Sequence, residues 1–224
     1  MKRWVGIGVL LGVAAFGAVG AAGAEESAWV EVAHSPEITV YRKEIPGDPL
    51  FAYRGDATIS APMDKVVSVV TDSNRRAEWA ERVKEARILK QISPTERIEY
   101  LVTRVPWPLK DRDFVLHTRL IPDRTAKTLR ILVESTDFSE MPENPKYVRG
   151  FVKQADFVLS SINGGKSTRV LSESHVDPKG SIPAWVINMI QKSFPRKSVA
   201  NLTRQVSRPD IVSSPLVAEY GLMH

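Results

Sequence analysis

Few side chains in this sequence have a type and spacing that could do chemistry. Gly165-Lys166-Ser167-Thr168 has the ending of a phosphate-binding loop, but Ser160 stands where such a loop needs its first glycine. Asn163-Gly164-Gly165 makes a hairpin turn the better reading. The histidines His34, His117, His175 and His224 are scattered and have no metal-ligand spacing. Asp111 and Asp113 are too few for a calcium site. The chain has no cysteine, so it has no thiol nucleophile, disulfide or thiolate metal site. It also has no G-x-S-x-G elbow and no H-E-x-x-H helix. What remains is a set of polar-tipped residues, Tyr100, Arg112, His117 and Tyr147. Arg112 and Asp113 are neighbours, so in a strand they point to opposite faces and at most one can face an interior.

The elements that would position these groups converge on the last long helical pattern. Ile182, Trp185, Val186, Ile187, Met189, Ile190 and Phe194 make it apolar over a wide arc, and that arc must be covered. A helix of this kind after a run of strands is either an ordinary core helix or a lid over an apolar cavity. Ile182, Trp185 and Met189 form one stripe at helical spacing, and Val186 and Ile190 form another. One stripe should face the interior, and Met189 would suit a pocket that adapts to its occupant. Ahead of the helix, Gly180 turns the chain, Ser181 is a candidate cap and Pro183 falls in the first turn. Pro195 predicts a kink or break near Ser193-Phe194.

Alternating segments predict strands over 28–33, 37–43, 51–60, 86–92, 97–105, 113–121, 128–135, 148–160 and 168–176. Two short helices, about 61–70 and 74–80, interrupt them after the third strand. The final helix covers 182–206, and a tail, 207–224, reads as only partly ordered. Strand and helix do not alternate, so the fold class is α+β, an antiparallel sheet with a helix packed in its concave face.

The first residues read as export information. Lys2 and Arg3 precede the apolar run Trp4 to Val19, and Ala22-Gly23-Ala24 is a small-x-small cleavage site. A cleaved signal peptide over 1–24 fits better than a retained anchor, because the run is short and rich in glycine and alanine. The domain proper is then 25–206. Losing Lys2 and Arg3 lowers the formal charge of +5 by two. The result is mildly basic with mixed signs, which gives no reason to expect a nucleic-acid partner. An exported chain without cysteine suggests the bacterial periplasm, with secretion as the alternative.

Three segments together resemble the START domain, the lipid-transfer-related helix-grip fold. They are the two short helices carrying Asp72 and Trp79, the loop Pro106-Trp107-Pro108-Leu109-Lys110-Asp111 running into Arg112-Asp113-Phe114-Val115, and Asp177-Pro178-Lys179-Gly180-Ser181-Ile182-Pro183 ahead of the last helix. Their order spans nearly the whole chain after residue 24. The resemblance departs at the start, where many members carry an added amphipathic helix and this chain enters its first strand at once.

The resemblance implies a curved sheet gripping the long carboxy-terminal helix around an apolar tunnel that holds one lipid or other greasy molecule. It places the Trp107 loop at the mouth. Trp107, between two prolines, is either a rigid apolar tip for a bilayer interface or a packed loop anchor. The Arg112-Asp113 step is expected to tie the loop to the strand; an inward Arg112 could instead meet a lipid headgroup or hydroxyl. Tyr100, His117 and Tyr147 are further candidates for ligand contact, with Ile182, Trp185, Val186, Met189 and Ile190 along the helix. The expected function is non-enzymatic binding and transfer of a lipid by a monomer that touches membranes transiently and needs no cofactor. The alternatives are a cyclase- or aromatase-like enzyme on the same scaffold, recruiting Tyr100, Arg112 and His117, or a ligand-sensing accessory module.

Overall fold

The computed structural model describes residues 28–223. The proposed signal peptide lies outside them. Strands β1 (Val30–Ser35), β2 (Ile38–Ile45) and β3 (Asp48–Ile59) form the first meander. Helices α1 (Met63–Thr71) and α2 (Arg76–Trp79) follow. Then come β4 (Val83–Ser93), β5 (Glu96–Thr103), β6 (Arg112–Asp123), β7 (Thr128–Ser135), β8 (Val148–Arg149), β9 (Phe151–Ile162) and β10 (Ser167–Asp177). The chain ends with α3 (Ala184–Val206) and α4 (Leu216–Glu219).

One sheet runs in the order β1-β2-β3-β10-β9-β7-β6-β5-β4, with β8 beside β6. The β6–β8 pair is parallel and every other pairing is antiparallel. The sheet curves around α1 and α3, so its concave face carries the main core. Ile59, Leu116, Leu129, Leu159 and Val170 from the strands meet Val66 and Val67 of α1 and Leu202 and Val206 of α3 there. The reason is the period of two, since alternate residues of each strand reach this face.

Four local details differ from the sequence expectations. The segment predicted as one strand over 148–160 is broken at Gly150, where a Cβ would lie 2.3 Å from Cε1 of Phe114. A side chain there would collide with the ring, so the chain must pass bare. No side chain caps α3, so Ser181 does not act as the cap. Pro195 lies inside α3, which runs unbroken through it. The tail is packed: Val217 and Leu222 are buried in the main core, and Ser214 N–H donates to Asp64 O at 3.1 Å. Apolar residues in the tail complete the core that α1 alone leaves open.

Gly55 sets how closely α3 approaches the sheet. A Cβ there would lie 2.9 Å from Ser172 Oγ, 3.2 Å from Ile38 Cδ1 and 3.3 Å from Pro195 Cβ. Gly55→Ala is expected to destabilise the fold by about 1–3 kcal/mol through overpacking, measured by denaturant unfolding. Stability equal to the native chain would show that α3 has room to shift.

Candidate functional site

On the concave face, the β5 residues Arg97, Glu99 and Leu101 alternate inward, opposite Thr118, Leu116 and Phe114 of β6. Two of the three β5 residues are therefore charged. Glu99 is 3% exposed and Arg97 7%. The chain leading into α2 brings two more groups down on them. Ser73 Oγ donates to Glu99 Oε1, and Arg76 Nη2 lies 3.6 Å from the same oxygen. Thr118 Oγ1 donates to the other carboxylate oxygen, Oε2, at 2.5 Å. Arg97 Nε is 3.1 Å from Glu99 Oε1, but it is not aligned for a hydrogen bond.

Burial by itself would raise the Glu99 carboxyl, yet Arg76, Arg97 and the two hydroxyls outweigh it and hold the group below its ordinary range. Burial pulls Arg76 down. The cluster holds two guanidinium groups against one carboxylate. Among the described residues two of its buried donors, Arg76 Nε and Arg97 Nε, have no acceptor. Buried donors are normally satisfied, so these two N–H groups are unusual for an interior position.

The opposite end of the grip is tied by Arg112. Its Nε donates to Pro178 O at 3.0 Å, its Nη2 to Lys179 O at 2.9 Å and its Nη1 to Lys110 O. The side chain is 2% exposed. One guanidinium thus joins the Trp107 loop to the leader of α3. Strand parity puts Arg112 on the concave side with Phe114 and Leu116, but its donors are engaged by these carbonyls. Asp113 points the other way and pairs with Arg149 at 2.9 Å. The loop base is also pinned: Val148 N–H donates to Asp111 O at 3.0 Å and Lys84 meets Asp111 at 3.0 Å. Its tip is not packed, and Trp107 is 92% exposed.

The remaining candidates divide by face. Tyr100 stands on the convex face with Ile98, Val102 and Val115, under Phe138, Met141 and Tyr147 of the 136–147 segment. Its hydroxyl donates to Asp113 Oδ2 at 3.2 Å, and burial followed by Asp113 pushes its pKa well up. His117 lies on the same convex face, with Nε2 2.7 Å from Glu96 Oε1. Tyr100 and His117 therefore do not enter the grip, because odd and even residues of a strand cannot share a face, and Tyr147 packs over the same convex cluster. Ile182 in the leader and Val186 and Ile190 on α3 are half-buried, whereas Trp185 and Met189 are exposed and turn toward the β1–β3 edge.

Ser73, Arg76, Arg97, Glu99 and Thr118 carry no pattern in the sequence that marks them as a cluster. The readable signal was Arg97-Ile98-Glu99-Tyr100-Leu101-Val102, where the two charges share the parity of Leu101 in a strand buried on both faces.

Comparison with known proteins agrees with this geometry. The chain is 27% identical over 193 residues to an uncharacterised protein of Pseudomonas aeruginosa, covering 86% of this chain and 93% of the relative. It is 27% identical over 170 residues to the mouse phosphatidylcholine transfer protein, covering 74% and 77%. The solved structure of a STAR-related lipid transfer protein from Xanthomonas axonopodis superposes with a TM-score of 0.71 at 27% identity, covering 80% of this chain and 99% of the other. Human StAR-related lipid transfer protein 5 gives 0.74 at 20% identity, covering 80% and 86%, a likeness of fold. The START domain family model matches residues 17–205, and the chain belongs to that family.

Proposed function

We propose that this protein binds a single lipid between the concave face and α3 and carries it between membranes in the periplasm. The observation that carries the reading is the Arg76–Arg97–Glu99 cluster, a buried spot of net positive charge with unpaired donors in an otherwise apolar core. An amphiphile fits such a site, with its polar end on the guanidinium groups and its chain along the apolar wall. Relatives named for lipid transfer support the cargo class. An enzymatic role has less support: Tyr100 and His117 lie on the convex face and Arg112 is held by three carbonyls, so the groups it would recruit do not converge.

The test is native mass spectrometry with lipid extraction, on protein purified from the periplasm of its own cell. One co-purified lipid per chain is expected, with loss of that lipid in a folded Arg97→Gln variant. An empty protein that also takes up nothing from a panel of lipids would overturn the carrier reading. The mass of the same sample reports whether the chain begins at Glu25.

Delivery requires contact with a bilayer. Trp107 (92% exposed) and Phe151 (46%) belong to the loop and to the strand beside the α3 leader that Arg112 joins. Lys179 lies 6.0 Å from the Phe151 ring and Lys110 is nearby in the loop. Aromatic tips among cations suit an anionic bilayer interface. Trp107→Ser is expected to weaken partition to anionic vesicles by roughly tenfold, about 1.4 kcal/mol, while the melting temperature stays unchanged. Sedimentation with vesicles measures this, and equal partition would remove the loop from the docking face.

A further inference from the structure

An interior cargo leaves one surface feature without a role. Along the flank of α3 that faces the edge strands runs a groove of about 440 Å³, within the range of small-molecule sites. Its walls are Val32, Phe51 and Tyr53 from the strands and Trp185 and Met189 from the helix. Trp185 and Met189 are one helical turn apart and remain 70% and 59% exposed. Large apolar residues held open to water beside apolar walls mark a surface that something covers.

The trough is preformed. Tyr53 Oη donates to Asn188 O at 2.9 Å, Phe51 N–H donates to Asn188 Oδ1 at 3.2 Å, and Asn188 Nδ2 donates to Pro49 O at 3.2 Å. These bonds lock this turn of α3 to β3, so a ligand entering here need not order the walls.

The groove also has a charge. Arg42 and Lys192 line it, and no carboxylate does. The Arg42 guanidinium lies over the Phe51 ring at 4.7 Å. Among the described residues neither cation is in an ion pair. A partly open trough of this volume suits one chain rather than two. We propose that this groove is a second binding site, distinct from the interior, for a long-chain carboxylate anion. The chain lies against Phe51, Trp185 and Met189, and the carboxylate is held by Arg42 and Lys192. The assignment does not depend on what the interior carries.

The experiment uses the folded protein labelled with ¹³C-methyl methionine, titrated with laurate and, separately, with 1-dodecanol. Met189 reports the groove, and Met63, buried in the main core at the first position of α1, reports the interior. Laurate is expected to shift the Met189 methyl in a saturable way and bind at least tenfold more tightly than the alcohol. The double variant Arg42→Glu, Lys192→Glu should lose that tenfold while Arg97→Gln keeps it. Should the double variant fail to fold, Trp185→Ser, which removes one wall, must weaken binding instead. Shifts confined to Met63, or laurate affinity unchanged by the charge reversal, would overturn the site. An interior that proves empty of lipid would leave the Met189 result standing, so the two proposals fail separately.

Discussion

Arg112→Leu is expected to cost about 3 kcal/mol or more, because it removes three charge-assisted hydrogen bonds and strands the carbonyls they satisfied. For a chain of this size that corresponds to a melting temperature lower by roughly 6–12 °C. The loss should be directional as well. Arg112 alone joins Lys110 O to Pro178 O and Lys179 O, so the Trp107 loop and the α3 leader should open before the core does. Limited trypsin digestion is expected to cut after Lys110 and Lys179 well below the melting temperature. Arg112→Lys should rescue only part of the loss, since one ammonium cannot reach three carbonyls spread over a planar fork. A variant that melts with the native chain and resists trypsin equally would show that other contacts close the mouth.

The second large effect is expected at Glu99. Glu99→Ala leaves Arg76 and Arg97 buried without a counter-charge, and removing one partner of a buried ion pair costs roughly 3–5 kcal/mol. Glu99→Gln keeps the shape and both hydroxyl contacts, so it should cost less and serve as the variant for binding work. The pH dependence has a definite sign. The folded-state pKa of Glu99 lies below its ordinary value of 4.5. The ionised group thus contributes stability above about pH 4.5, and that contribution disappears as pH falls through the lowered folded value. Asp48 and Asp56 are lowered too, so the native chain should lose stability in acid at several sites. The difference between the native chain and Glu99→Gln isolates this one: large at neutral pH and shrinking toward pH 3. A difference that stays constant with pH would mean that Glu99 is protonated in the fold.

Both effects concern residues whose neighbours come from distant parts of the chain, which explains why the sequence disclosed them unequally. Arg112 was visible because it follows a Pro-Trp-Pro loop and opens a strand, a local pattern. Its tie to the strand was expected, although its partners beyond the loop, the carbonyls of residues 178 and 179, were not. Glu99 and Arg97 do not stand out in the sequence because β5 is buried on both faces. With Ile98, Tyr100 and Val102 under the 136–147 segment and Leu101 on the concave side, hydrophobicity does not say which parity is inside. The chemistry of Tyr100 and His117 by itself suggests an inward place, and the register puts them outside.

By itself the sequence determined the fold class and its elements: the strand alternation, the two short helices, the hairpin turn at Asn163-Gly164-Gly165 and the long apolar helix. Each is a local property of composition and period, and each recurs in the structure within a few residues. Only the tertiary structure decided which face of β5 and β6 is concave, that α3 runs on through Pro195, that the tail packs into the core, and that Trp185 and Met189 look toward the β1–β3 edge. Those outcomes depend on strand register and on contacts between segments more than a hundred residues apart, such as Tyr53 with Asn188. A periodic pattern records that a residue must be buried or exposed, and only the packed chain supplies the neighbour against which that happens.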